Sequence, residues 1–259
     1  MEADTSYNCI AFYGNDETDY LINARLLQCI LNWMESLNCC PDVMSIHGEG
    51  YTPKLLSFKR QRSKLIKMSF NNITGFNVIS TGDSYLNHFH GYLINVVASF
   101  DSDERYFVIS INDQCMSIDH LNNLQLIQSI ADSTGSKYGI SYQRSFDKGP
   151  EWYALGIGTG DENSPEESLE VERHGRWGLR MDDEEIYKGS IRDLYPYNYV
   201  NDFQLKLMIG EMRLKDFITA DANHGSLITF NSTLSLWRVT EEQIARIRPL
   251  AVESGIIYS

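Results

Sequence analysis

The sequence predicts an α+β protein made of two pseudo-repeated halves, each a mainly antiparallel sheet in a ββαβ-like unit packed by helices. Three observations predict it. Two distant stretches share the order strand, strand, helix, strand: "GYLINVVASF", "RYFVISIN", "IDHLNNLQLIQSIADS", "KYGISYQRS", and later "GSLITFN", "LSLWRV", "TEEQIARIRPLAVES", "IIY". The paired runs are joined by short links of turn composition, "DSDE" and "STL", which favours hairpins and so antiparallel pairing. The helical runs carry a 3.6-residue apolar period. Residue identities hardly match between the two units, so the repeat is one of pattern.

Taken in order, "YNCIAFYG" alternates enough to be a first strand. A long helix follows, its apolar face formed by Leu21, Ala24, Leu27, Ile30, Leu31 and Met34, and Asn38 to Pro41 ends it. "TPKLLSFKRQRSKLIK" carries six cations and no acid, with Leu55, Leu56, Phe58, Leu65 and Ile66 at roughly helical spacing. It reads as a helix with a charged outer face, or as a contact for phosphate or an acidic patch. A strand near "GFNVIS" precedes the first ββαβ unit, whose helix has Asp119 near its start. Gly158, Gly160, Asn163 and Ser164 form a loop, and Ser164 is placed to cap a short helix starting at Pro165. In the last helix Thr240 is the N-cap, and Glu241 and Glu242 sit in the first turn, where the helix dipole favours negative charge. Gly255 ends that helix. The organisation is residues 1–75 as an N-terminal strand and helices packed on the first half, 76–160 as the first ββαβ half, 161–185 as an acidic connecting segment, and 186–259 as the second half, all in one compact unit.

At 259 residues, 42% hydrophobic and 12% aromatic, the chain has material for a substantial core, which excludes long disorder. Its apolar runs are far shorter than the roughly 20 residues of a membrane helix. The start "MEADTSYN" lacks the layout of a signal peptide. The expectation is a soluble, cytoplasmic protein with no membrane partner. A net charge of −13 argues against direct nucleic-acid binding, because phosphates are repelled, and suits a basic protein partner. Cys9, Cys29, Cys39, Cys40 and Cys115 are odd in number and lack a C-x-x-C spacing, so they are expected to be small buried hydrophobes in a reducing compartment.

Catalytic patterns were weighed against this. "GIGTG" from Gly156 lacks the helix that a dinucleotide loop needs directly after it, and the acidic "DENSP" that follows repels a pyrophosphate. "HFH", His88 to His90, offers two metal ligands, but His47, His120, His174 and His224 are scattered without ligand spacing. The carboxylates come in runs, "PEE" and "DDEE", with no sign of the two unlike environments that acid–base pairs require. No serine elbow, Cys-His signature or HExxH is present. No catalytic residue, cofactor or metal is therefore expected. The alternatives are a metal-dependent hydrolase using His88 and His90 with nearby acids, and an acidic adaptor binding another basic protein.

The second half carries a resemblance. "GSIRDLYPYNYVNDFQL", then "LKDFI", "HGSLITF" and "LSLWRVTEEQIARIRPLAVESGII" resemble the immunity protein 52 family of bacterial polymorphic toxin systems. The matching residues are Arg192, Asp193, Leu194, Tyr195 and Pro196, with Asn198, Gly225, Trp237 and Gly255. "KYGISYQRS…GPEWYALGI" also looks like the family's central segment, so the resemblance covers roughly residues 76 to 258. It implies an antidote that neutralises a cognate toxin delivered by a type VI secretion system, typically a restriction-endonuclease-like nuclease, by occlusion and without catalytic residues. From the residues themselves, Arg192 and Asp193 flank an apolar turn and can bond backbone groups, Pro196 biases Tyr195 to an extended conformation, and Asn198 suits a turn. A structural corner that closes the second half is the first reading of this motif, and a direct toxin contact is the second.

Residues 161–185, "DENSPEESLEVERHGRWGLRMDDEE", hold ten carboxylates and three arginines, a balance of 3 − 10 = −7 against −13 for the chain. A nuclease is basic where it holds phosphates, so an acidic inhibitor surface speeds encounter. The candidate interface is Asp161, Glu162, Glu166, Glu167, Glu170, Asp182, Asp183, Glu184 and Glu185, with Arg176, Trp177 or Trp152 as a central anchor, Trp177 being equally open to a core reading. The competing reading is an ordinary solvated face.

Overall fold

A computed structural model describes residues 5–14, 20–82, 91–101, 104–157 and 165–258. The strands are β1 (Ser6–Tyr13), β2 (Val43–His47), β3 (Leu56–Ser57), β4 (Gly75–Ser80), β5 (Ile94–Asp101), β6 (Glu104–Asn112), β7 (Tyr138–Ser145), β8 (Tyr197–Asn201), β9 (Met208–Ile209), β10 (Met212–Arg213), β11 (Ser226–Thr229) and β12 (Leu234–Arg238). The helices are α1 (Tyr20–Ser36), α2 (Phe58–Lys67), α3 (Ile118–Asn122), α4 (Gln125–Thr134), α5 (Pro150–Ala154), α6 (Pro165–Gly178), α7 (Ile186–Gly189), α8 (Leu214–Ala220) and α9 (Glu241–Glu253).

Ten strands form one sheet in the order β11-β12-β8-β7-β1-β6-β5-β4-β2-β3, and β9 and β10 form a separate small hairpin. Every neighbouring pair is antiparallel. The α+β class and the antiparallel pairing agree with the sequence reading. Two halves with separate sheets do not form, because β1 sits at the centre and pairs with both β6 and β7. The link through α3 and α4 therefore crosses over β1 instead of returning β7 to β6. The second unit departs at its end: "IIY" joins no sheet and makes only a parallel bridge between Ile257 and Ile191. The ββα order is present twice, but the strand topology does not repeat.

The sheet is covered on both faces. On β1, Ile10 and Phe12 pack into a cluster with Leu27, Ile30 and Met34 of α1, Leu65 of α2, Leu121 of α3 and Ile127 and Ile130 of α4. Tyr7, Cys9, Ala11 and Tyr13 point the other way, to Tyr153 of α5, Trp177 of α6, Tyr187 of α7, Phe217 of α8 and Ile247 of α9. Helices α1 to α4 thus lie on one face and α5 to α9 on the other. The period-2 side-chain alternation of a strand makes this division, and burial of both faces explains why β1 is an unbroken apolar run from Cys9 to Tyr13.

Local rules act where the sequence placed them. Asn38 takes a left-handed backbone (φ 55) after α1. The Thr240 side chain accepts from the Gln243 backbone and the Gln243 side chain accepts in return, a full capping box on α9. The predicted single helix after β6 is two, broken at Asn123–Leu124, with Ser117 capping α3. The cysteine reading holds for Cys9, which is buried, while Cys29, Cys40 and Cys115 are exposed. Burial pushes the Cys9 thiol up to about 12.

Candidate partner-binding surface

The motif residues form a buried corner between β7, α5 and α9. Arg192 is 0% exposed. Its Nη1 donates to Tyr13 Oη (3.0 Å) and the Ala154 carbonyl (2.8 Å), and its Nη2 to the Tyr153 carbonyl. Its guanidinium carbon lies 4.7 Å from the Tyr153 ring centroid, and its backbone N–H donates to Tyr138 Oη. A buried cation is costly unless its donors are met; here neutral oxygens take the terminal nitrogens and an aromatic ring lies beside the guanidinium, while the buried Nε makes no hydrogen bond among the described residues. Asp193 turns away to accept Arg248 Nε and Nη2, both at 2.8 Å, and Arg173 Nη2 at 3.3 Å. Asn198 closes the turn, accepting from Tyr195 N and donating to the Tyr195 and Trp237 carbonyls. Trp237 is buried and its Nε1 donates to His224 O at 2.9 Å. Gly225 and Gly255 take φ of 95° and 71°, which a side chain would strain. The corner reading matches this geometry: the residues that carry the resemblance are interior ones, except that Pro196 and Gly225 are half-buried and Gly255 is exposed at the end of α9.

Helices α5 and α6 meet through glycine. A Cβ on Gly156 would stand 2.1 Å from the His174 carbonyl, and one on Gly178 would stand 2.3 Å from that of Leu155. Only glycine permits this backbone approach. It drives the last turn of α6 into the core, where Trp177 is 0% exposed and touches the rings of Tyr13, Tyr138, Tyr187 and Tyr258. Trp177 is therefore corrected from interface anchor to core residue. The acidic connecting segment is not a solvated linker throughout; its C-terminal part is anchored by this tryptophan. His174, also buried, packs edge-on to Tyr153 at 4.8 Å.

The remaining candidates divide. Asp161 and Glu162 lie outside the described residues, as does Ser164; Glu166, Glu167 and Glu170 fall in α6 with side chains outside the described set. Arg176 is exposed and pairs with Glu172 at 2.7 Å. Asp182, Glu184 and Glu185 are exposed, with Asp183 less so. Asp183 is taken by Arg180 and Glu185 by Lys188 (2.7 Å). Asp182 and Glu184 make no ion pair among the described residues. The acidic run is thus partly neutralised by its own cations, and such exposed pairs contribute little stability.

The proposed anchor Trp152 is 49% exposed on α5. Two apolar residues that sequence reasoning passed over stand on the segments that cross there: Ile157 at 48% and Leu179 at 86% exposure. Their signal was present, since each is an apolar residue beside a glycine in a break after a helix, in "GIG" and "GLR". Exposed apolar side chains beside carboxylates make a surface suited to a protein partner, with anchors inside and charge at the rim. His88 and His90 lie outside the described residues, and among those described no group of three or more His, Cys, Asp or Glu is placed to hold a metal ion. No helix among the described residues is long and apolar enough to cross a membrane.

No protein-family model matches the chain, and no curated protein matches it. The fold is similar to a solved structure described as Pseudomonas aeruginosa T6SS protein PA0821, with a TM-score of 0.57 and 13% identity over 98% of this chain and 76% of that one. At that identity the likeness is one of fold. The immunity protein 52 resemblance therefore rests on the motif residues.

Proposed function

We propose that this chain is an immunity protein that binds a cognate toxin, a basic nuclease delivered by a type VI secretion system, and neutralises it by covering its active site or substrate surface. The observation that carries the reading is the α5–α6 crossing, which exposes Trp152, Ile157 and Leu179, with the exposed acids Asp182, Glu184 and Glu185 following Leu179 in the chain. Its chemistry fits a basic macromolecular partner better than a small substrate. Two further observations support it: a fold likeness across nearly the whole chain to a protein described as belonging to the T6SS, and the immunity protein 52 motif. The motif's place in the interior leaves the exposed side chains to choose the partner, which suits a family that must tell close toxin variants apart. The partner acts in the compartment where the nuclease finds its substrate, so the antidote works in the cytoplasm and needs no cofactor. The test is growth: cells producing the secreted effector encoded beside this gene should survive when the chain is co-produced and die when it is not. Death in both cases overturns the reading.

A further inference from the structure

A cavity of about 440 Å³ opens between β7, the Arg192–Asp193 corner and the first turn of α9. That is a volume typical of small-ligand sites. Arg144 of β7 stands in its wall. Its Nε donates to the Lys148 carbonyl at 2.9 Å, and its guanidinium carbon lies 4.1 Å from the Tyr153 ring centroid. Both contacts fix the plane of the guanidinium. Its two terminal nitrogens have no partner among the described residues, so a forked pair of donors is left free.

The surroundings are electropositive in a chain whose net charge is −13. Arg144 and Arg192 share the Tyr153 ring, and Arg173 and Arg248 stand around Asp193. Against four guanidiniums there is one buried carboxylate, Asp193, and one exposed carboxylate on the cavity wall, Glu241. Glu151 is engaged by Tyr92 Oη (2.8 Å) and Asn95 Nδ2 (3.1 Å). The local field is felt by His174, whose pKa is held far below the usual histidine range by burial first, and then by Arg192, Arg173, Arg144 and Arg248 in turn. The rest of the wall is mixed: Ile118, Leu194 and Ile244 are apolar, while Gln143, Tyr142, Tyr153 and Tyr195 bring polar atoms.

We propose that this cavity binds an organic carboxylate, its two oxygens on the terminal nitrogens of Arg144 and its hydrocarbon part against Ile118, Leu194 and Ile244. A planar carboxylate matches the free end of a guanidinium in a two-toothed manner. The apolar part of the wall suits a hydrocarbon group, which a bare inorganic anion lacks. Glu241 repels a phosphate dianion more than a carboxylate monoanion. The site does not rest on the toxin reading. Two sources share this chemistry, a small organic acid and the C-terminus of another chain.

Titration calorimetry of the full chain at low ionic strength tests it, with benzoate, its neutral isostere benzamide, and inorganic phosphate. Benzoate should bind one to one, with benzamide and phosphate each at least tenfold weaker. Arg144→Met should weaken benzoate at least tenfold with an unchanged circular dichroism spectrum, and Glu241→Gln should tighten it severalfold. If Arg144→Met does not fold, Arg144→Lys should weaken benzoate severalfold, since it keeps the charge but not the fork. Equal affinity for benzoate and benzamide, phosphate binding as tightly as benzoate, or wild-type affinity in the folded Arg144 variant overturns the proposal. Displacement of benzoate by a leucine-ended tripeptide, but not by its amide, assigns the site to a chain end; no displacement by either assigns it to a small acid.

Discussion

Asp193 and Arg248 form a two-toothed ion pair, with both N···O distances 2.8 Å, that ties the turn before β8 to the last helix α9. The pair is asymmetric. Asp193 is nearly buried and also receives Arg173 and the Leu194 N–H, while Arg248 is 41% exposed. Removing the acid takes a shared acceptor from two cations and a backbone donor; removing Arg248 leaves the acid with other partners.

Asp193→Ala should therefore cost about 2–3 kcal/mol of stability, below the full cost of breaking a buried pair because one partner meets solvent. Arg248→Ala should cost about 1 kcal/mol. Urea midpoints at constant m-value give both numbers. Equal losses would contradict the asymmetry.

The two tryptophans should separate stability from binding. Trp177→Ala opens a cavity among four tyrosine rings and should cost about 3–5 kcal/mol. Trp152→Ala, at an exposed site, should change stability by less than about 0.5 kcal/mol. It should weaken the toxin about tenfold or more if it is an anchor. Paired melting and binding measurements on both variants check this.

Much of this arrangement was legible in the sequence, and the part that was not has a common cause. Strands β1, β4 to β7, β11 and β12, helices α1, α2, α4 and α9 and the Thr240 cap each announce themselves by local period or capping chemistry. The position of β1 between β6 and β7 does not, because strand order is decided by long-range burial on both faces. Trp177 stayed open between anchor and core because it sits in the most charged stretch of the chain, and Gly156 and Gly178, whose close backbone contacts pull it inward, lie 22 residues apart in sequence (178 − 156). Ile157 and Leu179 were passed over because an isolated apolar residue in a loop has no period to mark it.

His174 gives a pH test. Its folded-state pKa is lowered by burial and by the surrounding arginines. Above the unfolded value of about 6.5, both states are neutral and the residue contributes no pH dependence. Below it, the unfolded chain takes up a proton that the folded chain refuses, so stability falls by roughly 1.4 kcal/mol per pH unit. From pH 6.5 to pH 5 the loss from this residue should be about 2 kcal/mol. His174→Gln should flatten the stability curve by that amount over this window. Parallel curves for the two proteins would contradict it.

Reversing Asp182, Asp183, Glu184 and Glu185 to lysine should slow toxin association about tenfold or more and flatten its salt dependence, with a smaller effect on dissociation. The exposed ion pairs to Arg180 and Lys188 that are lost with them should cost little stability. Stopped-flow association at several salt concentrations measures this. An unchanged rate and salt slope would remove these acids from the interface.

The central claim is that the chain acts by covering its target. Titrating purified chain into a fixed amount of the purified toxin and following nuclease activity tests that most directly. Activity should fall linearly to zero at one equivalent. Full activity at a large excess of chain, or inactivation of many toxin molecules by each chain, would contradict it.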